Sequence, residues 1–241
     1  MNPTTRHDIM GQHVNIFCVG KNYPDHALEM ERWENQAATR LDIETREEPI
    51  IFLKPSTALS QDGTTSIPVF NGQPVSGNMH YEVELVLLVG KDADSVSIGE
   101  AAGLISGYGV GLDMTLRDVQ MEAKKVGNPW LKSKGFRNSA LVSPFVPPGS
   151  TGAWEELSIS LRLNGRLVQH SLVSKMTFSP AYLVHYLSYI YGLRRGDLIF
   201  TGTPSGVGRV DPADRLDAVL ETGNGSARPP LTLATLEAIV N

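Results

Sequence analysis

The stretch "NMHYEVELVLLVG", residues 78–90, sets two glutamates, Glu82 and Glu84, two apart in a run of Val and Leu. Read as a strand, it alternates side chains between two faces, so both carboxylates point the same way. Like charges side by side in an apolar strand are unfavourable. Taken alone, the pair fits an exposed strand face with two ordinary glutamates. Something further is needed if that strand is buried.

Working outward, "VNIFCVG" (14–20), "IIFLKP" (50–55) and "ISGYGVGLDM" (105–114) read as further strands,. "LSISLRLNGRLVQHSLV" (157–173) places Asn164-Gly165 between two alternating runs, a hairpin signal,. "TLRDVQMEAKK" (115–125) reads as a helix, with Thr115 and Asp118 at capping-box spacing,. "SPAYLVHYLSYIYGL" (179–193) is amphipathic: Ser179 can cap it, Pro180 suits its first position, and Gly192 helps end it,. Leu183, Leu187 and Ile190 form its apolar stripe,. "DLIFTGTPSGVG" (197–208) is a strand entering a glycine-rich loop, and residues 214–240 read as strands around a turn. Strands dominate, which predicts a β-rich α+β domain.

The chain has 241 residues, 41% hydrophobic and 20% charged, enough for one sizeable core,. A net charge of −5 disfavours a nucleic-acid partner,. Cys18 is the single cysteine, so no internal disulfide forms, and a buried thiol in a reducing compartment is expected,. Residues 1–13 read as a polar tail without a signal-peptide core, and residues 14–241 as one catalytic domain,. No apolar run has membrane-spanning length, so no membrane partner and a cytoplasmic location are expected,. Residues 22–49 stand apart as a long, polar, weakly periodic segment, which marks function or disorder,.

A third acid changes the reading of the glutamates. Asp113 closes the "GYGVGLD" strand, and three carboxylate oxygens are what a hard cation such as Mg²⁺ or Mn²⁺ requires,. Whether Asp113 meets the glutamates is a question for the fold. His26 and Glu29 lie three apart, on one face if helical, and could activate a water; from spacing alone an incidental pair on a solvated face accounts for them better,. No histidine pattern makes a zinc motif, and "TGTPSGVG" lacks the Lys-Ser/Thr of a phosphate loop,.

Together, "CVGKNYPDHALEM", "IIFLKPSTAL", "HYEVELVLLVG", "GYGVGLDMTLRDVQ", "GNPWLKSKGF" and "DLIFTGTPSGVG" resemble, in that order, the fumarylacetoacetate hydrolase superfamily, and most of all its short acylpyruvate hydrolases and their oxaloacetate decarboxylase relatives. The resemblance implies a mixed β-sandwich roll, usually a homodimer. It implies Glu82, Glu84 and Asp113 as ligands of Mg²⁺ or Mn²⁺. His26 and Glu29 would be a water-activating dyad on a mobile lid at about 22–48, and Lys134 would face the substrate's oxygens. Lys21, Gln120 and Thr203 would contact substrate. Lys21 stands where an Arg is frequent, and Lys132 rivals Lys134. The implied activity is metal-dependent C–C hydrolysis of 3-acylpyruvates to release pyruvate, with oxaloacetate decarboxylase or keto–enol tautomerase as the alternative. A non-catalytic metal-binding module is the other reading, which His26, Glu29 and Lys134 argue against.

Overall fold

The structure is a computed structural model that describes residues 14–33, 39–40, 42, 45–222 and 230–241. Residues 1–13, expected to be a polar tail, residues 34–38, 41, 43 and 44 of the segment expected to be a lid, and residues 223–229 lie outside the described residues. Two sheets make the body. The larger has six strands in the order Ala140–Val142, Ile105–Asp113, Val83–Val89, Leu198–Phe200, Ile16–Gly20, Ile50–Lys54. Only the Ile16–Gly20 and Leu198–Phe200 pair is parallel within it. The second sheet orders Arg166–Leu172, Leu157–Leu163, Arg215–Thr222, Thr232–Val240 and Thr64–Thr65.

Alternation along Val83–Val89 explains the packing. Val83, Leu85, Leu87 and Val89 join Val110, Leu112, Ile159, Leu161 and Leu220 in the core between the sheets. Val86 and Leu88 point the other way, into a second apolar cluster with Ile16, Cys18, Val142 and Phe200. Both faces are therefore covered, and the all-buried pattern of this strand follows. Glu82 and Glu84 share the parity of Val86 and Leu88. The buried thiol expected for Cys18 sits in that second cluster.

Gly111 shows how tightly this face is closed. A Cβ there would lie 2.6 Å from Val86 Cγ2, 2.7 Å from the Phe200 ring and 2.9 Å from the Leu141 carbonyl oxygen. One of these neighbours is backbone, so the clash cannot be relieved by a rotamer change alone. Gly111→Ala is expected to cost roughly 1–3 kcal/mol or more, read as a lowered urea midpoint with an unchanged slope.

Two of the long strands leave the large sheet at the same level. Met79–Tyr81 precedes Val83–Val89, with Glu82 at the break. Thr115–Leu116 follows Ile105–Asp113, and it pairs with Met79–His80 in a small sheet completed by Gly208–Arg209. This corrects the expected helix start. Thr115 is in a strand, and its hydroxyl donates to Glu82 Oε1 (3.1 Å) instead of capping. The helix spans Arg117–Lys125 with no side-chain cap, and Asp118 instead accepts from the Gly77 backbone N–H (2.9 Å) and the Ser76 hydroxyl.

Two other elements match their sequence signals, except that Ile190, read as part of the apolar stripe over 179–193, is exposed while Leu183 and Leu187 are buried. The hairpin turns at Asn164 and Gly165 with φ of 50° and 82°, the positive values such a turn requires. The helix Pro180–Ile190 is capped by Ser179, which accepts from Tyr182 N–H at 3.2 Å.

Candidate active site

The register places Val83 opposite Leu112 and Glu84 opposite Gly111, so Glu82 stands opposite Asp113. The Asp113 N–H donates to the Glu82 carbonyl at 2.9 Å. Ligand atoms of Glu82, Glu84 and Asp113 all lie within 4.8 Å of one another, and all three residues are buried. Oxygens across an octahedral Mg²⁺ are separated by about 4.2 Å, twice the usual bond length. The set is all oxygen, compact and made of three carboxyl groups, so the residues present fit a hard divalent cation.

Three cations surround the acids. Lys134 Nζ lies 2.8 Å from Glu82 Oε2 and 2.7 Å from Asp113 Oδ2. Lys54 Nζ, fully buried, is 2.7 Å from Asp113 Oδ1 and also donates to Ser139 Oγ (3.0 Å) and the Lys134 carbonyl. Arg117 pairs with Glu82 Oε1 and donates to Gln120 Oε1 at 2.6 Å. Burial pushes the Glu82 carboxyl up, but Lys134 and Arg117 outweigh it and hold Glu82 below the usual carboxylate range,. Glu84 has the opposite fate. Burial, then Asp113 and Glu82, push its carboxyl well above that range. Its only hydrogen-bond donor among the described residues is the Gly202 N–H, at 2.7 Å. Gly202 holds φ of 101°, and a Cβ there would lie 2.8 Å from Asn22 Cβ, so glycine alone turns that amide inward,. Burial would lower the proton affinity of Lys134, yet Asp113 and Glu82 raise it, so the amine stays charged.

Over this cluster lies the helix Pro24–Trp33. Its inward face is His26, Ala27, Met30 and Glu31, half of it polar. His26 Nδ1 meets Glu29 Oε2 at 3.1 Å, and the Gly206 N–H of the glycine-rich loop donates to the same carboxylate at 3.1 Å. The helix base is pinned by Asn22, which donates to the Thr201 (2.8 Å) and Phe178 (3.1 Å) carbonyls. Beneath it is a small cavity, open to solvent, whose wall includes Lys21, His26, Glu82, Glu84, Arg117, Gln120, Lys134 and Thr203. His26 lines this cavity while Glu29 stands behind it, outside the lining.

The structure thus gathers nearly every residue singled out in the sequence. Lys134 is buried in the cluster, whereas its rival Lys132 is exposed. Lys21 reaches the cavity wall, but its ammonium is held by Glu31 at 2.5 Å rather than left for a substrate. Lys54 and Arg117 are site residues that the sequence reading missed. The signal for Lys54 was a lysine ending an apolar strand just before Pro55.

A strand-rich two-sheet fold around a buried carboxylate triad, with lysine and histidine on one cavity, makes a candidate site that could hold a divalent cation. The family model "Fumarylacetoacetate (FAA) hydrolase C-terminal" matches residues 15–232, and the chain belongs to that family. It is 41% identical over 208 residues to mouse "Oxaloacetate tautomerase FAHD1, mitochondrial", covering 86% of this chain and 87% of the relative. It is 36% identical over 212 residues to "Oxaloacetate tautomerase YcgM" of Escherichia coli, covering 86% and 88%. The crystal structure of fumarylpyruvate hydrolase from Pseudomonas aeruginosa in complex with Mn²⁺ and pyruvate superposes with a TM-score of 0.77 at 33% identity, over 96% of this chain and 93% of that one. The family relation holds for these enzymes in common, which include tautomerases, hydrolases and isomerases. No helix among the described residues is long and apolar enough to cross a membrane.

Proposed function

We propose that this chain catalyses keto–enol interconversion of oxaloacetate or a closely similar keto acid. The observation that carries the reading is the pairing of a cavity-facing imidazole with a buried, cation-rich carboxylate cluster. The relatives named as oxaloacetate tautomerases support it. Glu82, Glu84 and Asp113 would hold Mg²⁺ or Mn²⁺. Bound there, a divalent cation would supply Lewis-acid stabilisation of an enolate and leave the cluster with surplus positive charge for a dianionic keto acid.

The chain's own groups do the rest. Glu29 accepts from Nδ1–H of His26, which leaves Nε2 as the ring nitrogen with a lone pair,. That nitrogen takes a proton from the carbon between the keto and distal carboxylate groups, and the imidazolium formed is stabilised by Glu29. The proton returns to the enolate oxygen to give the enol, so one proton moves and nothing else changes. Lys134 has three N–H groups, two of them committed to Glu82 and Asp113. The third donates to the developing oxyanion, and it stays on the amine.

Acylpyruvate hydrolysis is the second reading, favoured by the fumarylpyruvate hydrolase structure. The same imidazole would then activate a water. Assaying one preparation with Mg²⁺ or Mn²⁺ for oxaloacetate tautomerisation, for pyruvate release from oxaloacetate, and for acetylpyruvate and fumarylpyruvate cleavage decides between them. Tautomerisation is expected to have the highest kcat/KM. Faster cleavage of an acylpyruvate would overturn the first reading in favour of the second.

A further inference from the structure

Gln169 lies far from every motif of the site in sequence, on the strand Arg166–Leu172 of the second sheet. It is 2% exposed, yet its amide reaches through to the cavity wall. Its Oε1 accepts from the Val83 backbone N–H at 2.9 Å, between the two glutamates. Its Nε2 donates to the Pro204 carbonyl at 2.8 Å and to Thr203 Oγ1 at 2.9 Å. Two backbone groups of fixed polarity therefore settle which end of the amide is oxygen. An N–H must meet an acceptor, and a carbonyl must meet a donor.

The consequence falls on Thr203. A hydroxyl carries one hydrogen and two lone pairs. One lone pair is taken by Gln169, and no acceptor for the hydroxyl hydrogen is found among the described residues. Thr203 lines the cavity beside Glu84 and Lys134 and is 2% exposed. Its hydrogen is left to a cavity occupant.

We propose that Gln169 is a positioning residue that occupies one lone pair of the Thr203 hydroxyl and turns its hydrogen toward the cavity, so that the cavity favours an anionic oxygen such as a keto-acid carboxylate. It acts through Thr203 and does not itself touch substrate. The proposal rests on the keto-acid reading. By the same bonds, Gln169 ties the metal-ligand strand to the loop that carries Thr203, which makes it a structural residue as well. The test must separate the two roles.

The probe is oxalate, a planar mimic of the pyruvate enolate, titrated calorimetrically into the Mg²⁺-loaded full chain. Gln169→Met, Thr203→Val and the double variant are compared with wild type, and the thermal midpoint of each is measured without oxalate. A hydrogen bond to a charged group is worth about 1.5–3 kcal/mol, so Thr203→Val should weaken oxalate roughly 10- to 150-fold. Gln169→Met leaves the hydroxyl in place but no longer oriented, so it should weaken oxalate measurably but by less than Thr203→Val when Thr203 is present, and by less than about 2-fold in the Thr203→Val background, while lowering the thermal midpoint in both. Should Gln169→Met fail to fold, Gln169→Asn serves. It is uncharged, and its shorter amide withdraws the N–H from Thr203, so oxalate should again be weakened only where Thr203 is present. Equal losses in both backgrounds, or no loss in either, would overturn the proposal while leaving the keto-acid reading intact. Wild-type protein that binds no oxalate would overturn both.

Discussion

Asp113→Asn and Glu84→Gln should each reduce turnover by about three to four orders of magnitude, and they should move the stability of the metal-free protein in opposite directions. The loss of activity follows from the donor set. Either change removes one of three anionic ligands from a cation whose Lewis acidity is worth several kcal/mol, and each ~1.4 kcal/mol is tenfold in rate. Chelation of the wild type should reproduce the loss, and added Mg²⁺ or Mn²⁺ should reverse it there but only weakly in the variants.

The stability effects differ because the two acids have different company. Asp113 compensates two buried amines, Lys54 at 2.7 Å and Lys134 at 2.7 Å. Taking its charge away leaves them short of a counter-ion, and breaking such a pair typically costs about 3–5 kcal/mol. Glu84 forms no ion pair among the described residues and faces Asp113 and Glu82. Burial first, and those two acids second, raise its pKa. The folded protein therefore holds a proton there that the unfolded chain gives up, and stability is lost as the pH rises from the ordinary glutamate range through the raised one. Glu84→Gln removes that penalty. Thermal unfolding in a chelator at neutral pH should rise for Glu84→Gln and fall for Asp113→Asn. A fall in both would mean that Glu84 contributes to folding through something other than its charge.

The elements legible in the sequence are those whose periodicity is set by one apolar face. The hairpin at Asn164-Gly165 and the capped helix at Ser179 are local signals with local causes, and both hold. The helix Pro24–Trp33 was hidden for a physical reason: its buried face carries His26 and Glu31, so burial there does not show as hydrophobicity. The capping box at Thr115 failed because its hydroxyl is used by Glu82 across the sheet, a partner 33 residues away that no local rule can weigh. Lys54 and Arg117 escaped for the same reason. A buried cation looks like a surface one until its acids are in place. The meeting of Asp113 with the glutamates was legible as chemistry but not as geometry. It needed the register that sets Glu82 opposite Asp113, at the level where both strands leave the large sheet.

The His26–Glu29 pair yields an ordered series of losses that also tests which of the two residues handles the proton. His26 is on the cavity wall, and Glu29 reaches it only through Nδ1, while the Gly206 amide holds the carboxylate in place. If Nε2 takes the proton, His26→Ala should cut tautomerisation by ~10²–10⁴, the usual worth of general base catalysis. Glu29→Ala should cost less, because the imidazole remains, though its tautomer and orientation are no longer fixed. Glu29→Gln should cost least. A glutamine oxygen still accepts from Nδ1–H and keeps the tautomer, losing only the charge that stabilises the imidazolium. The double variant should be no worse than His26→Ala, since the two act on one proton as a unit. Oxaloacetate decarboxylation should fall less than tautomerisation throughout, because loss of CO₂ needs neither a carbon proton removed nor a water activated. Acylpyruvate cleavage, where detectable, should follow the tautomerisation series. The measurement is kcat for each reaction in wild type, Glu29→Gln, Glu29→Ala, His26→Ala and the double. Should Glu29→Gln fall as far as His26→Ala, the carboxylate itself is the base and the imidazole its support. The helix Pro24–Trp33 would then have to bring Glu29 past His26 into the cavity when substrate binds, a movement that slowed hydrogen exchange of that helix with oxalate would register independently.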